Sequence, residues 1–328
     1  MNRQNLSVAY FGSPSFSAVL LENLLKHQVE LGIKINLVVT QPDRPAGRGL
    51  MIQKTAVNKL AKEYSLVVYD KPLQGQISQV ITIMDSSKID LAIVFAFNEI
   101  IPKEMLSKIR YGFWNIHPSQ LPKYRGSSPT AFPLIMGKTQ TGVSLIQMNA
   151  KMDEGDIIDT ESHNINNFDT QQTLLSSLTD KALGLIRNNL ANVDQIVLKP
   201  QNNALATYTR KLTRQDGFVA WPMIVALIEG QSVPVDNFVP FIWFQKRNGE
   251  QIDTKTVTMA NLYNLWCGLH PWPGIWTTVR INNRDTRLKI IEMRNDTRGI
   301  YITTIQIEGK RPTPFRLDQF QSAHESDS

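Results

Sequence analysis

Three polar residues in the middle of the chain are of the types that move protons and stabilise developing negative charge. Asn115 and His117 lie two residues apart in the segment WNIH, and Asp153 lies in the segment KMDEGD. A carboxamide can donate a hydrogen bond to an oxygen that gathers charge, and an imidazole can carry a proton to or from an amine near neutral pH. The alternative is a turn-forming Asn, a half-buried His and a solvated Asp, and these residues alone leave it open.

The strands predicted around these residues favour a common site. Residues 112–116 are predicted to form a strand that follows the apolar strand 91–97. Side chains two apart on an extended chain point to the same face, so Asn115 and His117 should share a face at the carboxyl end of that strand. Asp153 is expected in a turn between two further strands.

The segment after this strand is predicted to be an ordered loop over residues 118–128. Pro118 and Pro122 each remove a backbone donor and restrict the chain, and Gly126 allows a tight bend. Such a loop would be stiff before any ligand binds, which lowers the entropy cost of binding.

Strands and helices alternate along the first 190 residues, which predicts an α/β fold with a Rossmann-like, mainly parallel sheet. Ser13 is placed to cap the first helix, whose first residue is Pro14. The phosphate-binding pattern GxGxxG does not follow the first strand, so we expect Rossmann-like wiring without a dinucleotide site. The predicted strands are 6–11, 35–40, 66–69 and 91–96, and the predicted helices are 14–27, 76–85 and 170–189.

The composition of the 328 residues is that of an ordinary globular protein large enough for two domains. No apolar run approaches the roughly 20 residues that span a bilayer, and the amino terminus has no signal-peptide pattern, so a cytoplasmic protein is expected. The single cysteine, Cys267, suits a reducing compartment. The five histidines are not spaced as metal ligands, so no metal is expected.

The net charge of +6 permits a polyanionic partner. Between Arg280 and Arg316, basic residues outnumber acidic ones by nine to four. This surplus is either a solvated face or the footprint of a phosphate backbone. The nine basic residues are Arg280, Arg284, Arg287, Lys289, Arg294, Arg298, Lys310, Arg311 and Arg316.

Long segments of the chain resemble the folate-dependent formyltransferases, and among them those that act on methionyl-tRNA. Asn115, His117 and Asp153 match that family's catalytic set, and SQLPKYRG (119–126) is similar to its SLLPxxRG signature. The resemblance implies a formyltransferase fold that transfers a formyl group from 10-formyltetrahydrofolate to initiator methionyl-tRNA without a metal. The other similar segments are VAYFGSPSFSAVLL (8–21), VVTQPDRPAGRG (38–49), the block 90–158, YTRKLTRQDG (208–217) and LHPWPGIWT (269–277).

The resemblance also implies roles for individual residues in a monomeric enzyme. Asn115 would donate to the formyl oxygen and His117 would transfer the proton, while Asp153 would hold the imidazole in one tautomer and orient a water. The implied folate-binding residues are Ser119, Gln120, Leu121, Pro122, Phe97, Asn98 and Ile100, and the implied tRNA-binding residues are Arg44, Arg48, Arg210 and Lys211.

The chain departs from the family pattern in its second half. The predicted parts are a catalytic domain at 1–197, a linker at 198–217 and a smaller tRNA-binding domain at 218–328, with an insertion at 222–257. That second domain would be either a reduced OB-like barrel or a barrel partly replaced by the insertion. Two other functions stay open, which are formyl transfer to a sugar nucleotide or another small amine, and RNA binding without catalysis.

Overall fold

The computed structural model describes residues 5–46, 51–249 and 256–320. The chain forms two compact units. The division into a catalytic domain, a linker and a tRNA-binding domain remains a prediction. The first unit comprises Met1–Arg125, Gly142–His163 and Leu175–Ala206, and the second comprises Gly126–Thr141, Asn164–Leu174 and Thr207–Ser328.

In the part of the chain that the structure describes, nine strands precede residue 165, and seven of them form one sheet. They are β1 (Leu6–Gly12), β2 (Ile33–Val39), β3 (Arg44–Ala46), β4 (Met51–Gln53), β5 (Val68–Tyr69), β6 (Leu91–Phe95), β7 (Phe113–His117), β8 (Gln140–Gln147) and β9 (Asp156–Asn164). The sheet order is β5-β2-β1-β6-β7-β8-β9, with β1, β2, β5, β6 and β7 parallel and β8 antiparallel to β7. The predicted Rossmann-like, mainly parallel sheet is thus confirmed, and β3 and β4 form a separate hairpin.

Helices connect these strands, and one of them, α4 (Ile77–Ser86), packs against the sheet. Alternate residues of the central strands, such as Phe11 and Val94, pack in one core with Val80 and Met84 of α4. The residues between them, such as Tyr10, are also buried, as expected of parallel strands covered on both faces. The helices are α1 (Ser15–Lys26), α2 (Gln28–Leu31), α3 (Ala56–Glu63), α4 (Ile77–Ser86), α5 (Lys103–Leu106), α6 (Ala131–Ile135) and α7 (Gln171–Leu190).

The predicted cap of the first helix is wrong. Pro14 occupies the N-cap position of α1, and no side chain caps the helix there. The hydroxyl of Ser13 instead accepts a hydrogen bond of 3.1 Å from the backbone N–H of Gln41, which follows β2. Ser13 therefore joins two neighbouring strand ends at the carboxyl edge of the sheet.

The second unit contains a four-stranded sheet in the order β12-β13-β14-β15, with each neighbouring pair antiparallel. The predicted insertion includes most of α8 and all of β10, α9 and β11, so its described residues contain helices and short strands. The elements are α8 (Trp221–Ile228), β10 (Val233–Pro234), α9 (Val239–Asn248), β11 (Thr256–Val257), α10 (Met259–Leu269), β12 (Ile275–Ile281), β13 (Arg284–Asp296), β14 (Gly299–Ile307) and β15 (Thr313–Pro314). This open antiparallel sheet is consistent with a smaller second domain.

Helix α9 holds part of the predicted linker. The carboxamide of Asn248 accepts from the backbone N–H of Tyr208 and donates to its carbonyl oxygen, at 2.6 and 3.1 Å. The guanidinium of Arg247 lies 4.6 Å from the centre of the Tyr208 ring. Residues of α9 therefore fix the backbone and the ring of Tyr208.

Candidate active site

Strand β7 presents the predicted Asn and His on one face. Asn115 pairs with Ile146 and His117 pairs with Ser144 on β8, so the two side chains are two positions apart on a regular strand. Asn115 is half-buried, and its carboxamide makes no hydrogen bond to any residue that the structure describes. The side-chain amide nitrogen of Asn115 is therefore available to donate a hydrogen bond to a ligand.

The imidazole of His117 is buried between two partners. Its Nε2 lies 3.0 Å from the carbonyl oxygen of Tyr124, and its Nδ1 lies 3.6 Å from Oδ1 of Asp153. Both neighbours only accept hydrogen bonds, but only the Tyr124 carbonyl lies within hydrogen-bond distance, so the geometry favours a neutral ring with its proton on Nε2 and with Nδ1 as the basic nitrogen. Tyr124 therefore favours this tautomer of the neutral ring, and the tautomer-setting role that the resemblance implies for Asp153 stays a prediction. The carboxylate of Asp153 faces Nδ1, which gains a proton when the neutral ring becomes an imidazolium.

Asp153 reaches His117 from a turn with an uncommon backbone shape. Its φ is 54°, in the left-handed region that Asp tolerates better than most residues. A Cβ on Gly155 would collide with the carbonyl oxygen of Gln147, so the turn also needs glycine two residues later. The structure thus places a base, a carboxylate and an amide donor within one unit, and this set can transfer a proton and stabilise an oxyanion.

Strand β8 fixes the start of the predicted loop. The hydroxyl of Ser144 donates to the carbonyl oxygen of Ser119 at 2.8 Å and accepts from the N–H of Leu121 at 3.0 Å. The hydroxyl of Ser119 is buried and donates to the carbonyl oxygen of Lys123. Gln120 and Pro122 are half-buried beside them. The loop is therefore held internally, and folate binding by these four residues stays a prediction.

The segment after β6 alternates buried and exposed side chains. Phe97 is buried and packs edge-on against Phe11, with ring centroids 5.4 Å apart. Asn98 adopts a left-handed φ of 62° and is exposed, as is Ile100 at 83%. Asn98 and Ile100 can contact a ligand with their side chains, whereas the Phe97 ring belongs to the core. Their assignment to the folate site stays a prediction.

The sequence did not indicate the role of the residue that follows Tyr124. Arg125 is only 1% exposed, and its guanidinium donates to Oε1 of Gln201 and Oδ1 of Asn203. It also lies 3.4 Å from a carboxylate oxygen of Glu154, next to Asp153. Gln201 and Asn203 are 76 and 78 residues away from Arg125 along the chain, so no local sequence pattern predicts these hydrogen bonds.

The four predicted tRNA-binding residues differ in their surroundings. Arg44 is exposed on β3, and Arg48 lies outside the described residues. Lys211 is exposed. Arg210 makes two hydrogen bonds of 2.8 and 2.5 Å to the buried carboxylate of Asp216. Binding of tRNA by these residues stays a prediction, and the internal ion pair of Arg210 weighs against a phosphate contact there.

The Arg210–Asp216 pair should support the second unit in a pH-dependent way. Burial alone would raise the pKa of Asp216, but hydrogen bonds from Arg210 and Thr213 outweigh it and hold the pKa below its usual value. We expect Asp216→Asn to lower the free energy of unfolding by about 3 kcal/mol near pH 7, because the half-buried guanidinium of Arg210 loses its buried anion. A carboxyl group whose pKa is lower in the folded than in the unfolded protein stabilises the fold at pH values above its unfolded pKa. This stabilisation is lost as the pH falls through its folded pKa.

The difference between wild type and Asp216→Asn should therefore shrink below about pH 4. Denaturant titration at neutral and acid pH would measure it. The control is Asp236→Asn, which changes an exposed carboxylate of the same unit. Equal stability of wild type and Asp216→Asn at pH 7 would contradict the argument.

One face of the sheet in the second unit is aromatic and basic. Trp276 lies directly opposite Lys289, and Thr278 lies opposite Arg287, so these four residues share a face. The Arg287 guanidinium is 5.0 Å from the centre of the Trp276 ring. The residues that alternate with them on β12 and β13, such as Leu288, are buried. Such a face suits a polyanion that carries stackable bases.

Among the residues that the structure describes, no group of His, Cys, Asp or Glu side chains is arranged to hold a metal ion. Within 5–46, 51–249 and 256–320, no helix has both the length and the apolar composition needed to cross a bilayer.

Comparisons with known proteins give a consistent assignment. A family model described as "Formyl transferase" matches residues 4–188. The methionyl-tRNA formyltransferase of Ehrlichia ruminantium (strain Welgevonden) is 37% identical over 207 residues, which cover 63% of this chain and 67% of that protein. The corresponding protein of Caldicellulosiruptor saccharolyticus is 29% identical over 289 residues, covering 88% and 79%. The solved methionyl-tRNA formyltransferase from Clostridium thermocellum shares the fold, with a TM-score of 0.55 and 13% identity over 92% of this chain and 98% of that chain.

Proposed function

Because this chain belongs to the formyl transferase family, we propose that it transfers a formyl group from 10-formyltetrahydrofolate to the α-amino group of methionyl initiator tRNA. The observation that supports this most directly is the pairing of His117 with Asp153 on the face that also carries Asn115. Proteins named methionyl-tRNA formyltransferase, 29% and 37% identical over most of their length, support the choice of acceptor. The product would serve translation initiation.

The first step forms a bond between the methionyl nitrogen and the formyl carbon. The amine lone pair attacks that carbon, and the electrons of the carbonyl double bond move onto the formyl oxygen. The carboxamide of Asn115 donates a hydrogen bond to this oxygen as it becomes anionic. A donor of this kind contributes about 3–4 kcal/mol to the stabilisation of the transition state.

The second step breaks the bond between the formyl carbon and N10 of the folate. His117 takes a proton from the attacking nitrogen and returns one to N10, so that tetrahydrofolate leaves with the electron pair of the broken bond. Positioned acid–base catalysis of this type contributes about 10² to 10⁴ in rate. The carboxylate of Asp153 stabilises the imidazolium that exists between the two transfers.

The folate would lie against residues 119–122 and against the segment that contains Phe97, Asn98 and Ile100. The tRNA would contact the exposed Arg44 and Lys211 and the sequence around Arg48. We propose that the enzyme acts as a monomer in the cytoplasm.

The test is transfer of a radiolabelled formyl group from 10-formyltetrahydrofolate to several acceptors in parallel. We expect label on charged methionyl initiator tRNA and none on uncharged tRNA, since the nucleophile is the amino group of methionine. An amino-sugar nucleotide and glycinamide ribonucleotide serve as small-amine acceptors. Label on either of these, with none on methionyl-tRNA, would overturn the proposed acceptor, and no transfer to any acceptor would overturn the activity.

A further inference from the structure

Gln201 connects the buried Arg125 to the turn that carries Asp153. Its Nε2 donates to the carbonyl oxygens of Asp153 and Gly155, at 2.8 and 2.7 Å. Its Oε1 accepts from Nε and Nη2 of Arg125, at 3.1 and 2.7 Å. A single carboxamide therefore joins a guanidinium on one side to two backbone carbonyls of the turn on the other.

The orientation of this carboxamide follows from its neighbours. Arg125 offers only donors and the two carbonyls offer only acceptors, so the reverse orientation would place like groups together. Hydrogen bonds to a charged group are about twice as strong as neutral ones, and Arg125 is almost fully buried. Gln201 is consequently held firmly at its Oε1 end, which makes its Nε2 end a fixed support.

The same loop supports both members of the candidate acid–base pair. Tyr124 accepts from His117 through its carbonyl oxygen, and the next residue, Arg125, holds Gln201. Gln201 in turn holds the backbone of Asp153, whose carboxylate faces His117. The contacts close a ring, so a shift of the Asp153 backbone would change its distance from the imidazole.

We propose that Gln201 is a positioning residue for formyl transfer, acting by holding Asp153 against His117; this inference rests on the proposed function. Asp153 has a left-handed φ of 54°, a conformation that persists when its surroundings enforce it. The two hydrogen bonds from Gln201 to the carbonyls of Asp153 and Gly155 supply that enforcement. Gln201 has no contact with the reacting atoms in this assignment.

The test compares Gln201→Glu with Asn203→Asp in the full chain. Gln201→Glu keeps acceptor oxygens for Arg125 but replaces the two N–H donors with a carboxylate facing two carbonyls. Asn203→Asp adds the same charge beside the same guanidinium, and within the described residues the hydrogen bond of the Asn203 side chain is to Arg125 and not to the turn of Asp153. We expect Gln201→Glu to lower kcat about 10- to 100-fold with the KM values nearly unchanged. The variant would misplace the acid–base pair but leave the contacts that bind the substrates intact. Asn203→Asp should keep wild-type kcat.

A double-mutant cycle separates positioning from a general structural role. In an Asp153→Asn background the further change Gln201→Glu should cost little, because the residue it positions is already disabled. Full additivity of the two losses would overturn the proposal. A kcat of Gln201→Glu within threefold of wild type, or an equal loss in Asn203→Asp, would also overturn it.

A measurement without substrates keeps the inference distinct from the proposed activity. Hydrogen exchange of the backbone amides of 150–156 should be faster in Gln201→Glu than in wild type or Asn203→Asp by about tenfold or more. Unchanged exchange would show that Gln201 does not hold the turn, whatever reaction the enzyme catalyses. If Gln201→Glu does not fold, Gln201→Met removes the same hydrogen bonds at similar length and takes its place in every measurement.

Discussion

His117→Asn should lower kcat for formyl transfer by about 10² to 10⁴-fold while changing the KM values for folate and methionyl-tRNA only slightly. Asparagine keeps a polar amide near the position of Nδ1 but does not reach the carbonyl oxygen of Tyr124, so the hydrogen bond made by Nε2 is lost. It cannot accept and return a proton at neutral pH, so the loss falls on the chemical step. Steady-state kinetics with each substrate varied in turn would measure both parameters.

The matched control is His163→Asn, the same chemical change on strand β9 of the first unit. We expect that variant to retain wild-type kcat, because His163 has no part in the proposed mechanism. Activity of His117→Asn within threefold of wild type would contradict the acid–base role. Equal losses in the two variants would indicate damage to the fold rather than to catalysis.

The sheet was predictable because a buried strand is a short apolar run between turns, and each run is visible by itself. Strands β1, β2 and β6 lie within about two residues of the predicted bounds. Asn115 and His117 share a face because they are two residues apart on one strand. The approach of Asp153 to His117 was not readable from spacing, and only the resemblance to a known family suggested it.

The polar contacts that shape the site were not predictable from local pattern. Ser13 lies where a helix cap is expected, but its hydroxyl bonds the backbone of Gln41, 28 residues later. In sequence, Arg125 resembles an exposed loop charge. It is buried, and its guanidinium donates hydrogen bonds to Gln201, 76 residues later. Such partners depend on how strands and loops assemble, and a local window of sequence contains no trace of that assembly.

The surroundings of Arg210 could have been foreseen. Thr213 and Asp216 have the spacing of a capping box, and the structure contains that box at the start of a short helical turn. A carboxylate fixed in this way six residues after Arg210 is a natural partner for the guanidinium. A basic residue close to a capping carboxylate is therefore a weaker candidate for a phosphate contact than a basic residue without one.

The same reasoning sorts the nine basic residues near the carboxyl end of the chain. Arg294 lies 3.2 Å from a carboxylate oxygen of Glu292, and Arg298 lies 3.0 Å from one of Asp296. Within the described residues, Arg287 and Lys289 form no such ion pair, and both share the sheet face of Trp276. A phosphate backbone would bind more strongly to Arg287 and Lys289 than to Arg294 and Arg298, because the first two form no ion pair with a described carboxylate.

Binding of methionyl initiator tRNA should therefore weaken steeply as the salt concentration rises. A double variant that carries both Arg287→Gln and Lys289→Gln should show a weaker dependence of affinity on salt. Each phosphate contact releases condensed counterions, so about six contacts would cost about 10³-fold in affinity between 50 and 200 mM salt. Loss of two contacts should make the slope of log affinity against log salt shallower by about two. Fluorescence anisotropy of labelled tRNA at several salt concentrations would measure this slope.

The matched control replaces two charges on the same strand and its following turn, as Arg294→Gln with Arg298→Gln. Both variants remove two positive charges, so a general effect of net charge would be the same in each. We expect the control to keep a slope closer to wild type, because its cations are already neutralised by Glu292 and Asp296. Equal slopes in the two double variants would mean that net charge, and not the face of Trp276, attracts the tRNA. A wild-type slope in Arg287→Gln with Lys289→Gln would mean that the backbone of the tRNA lies elsewhere.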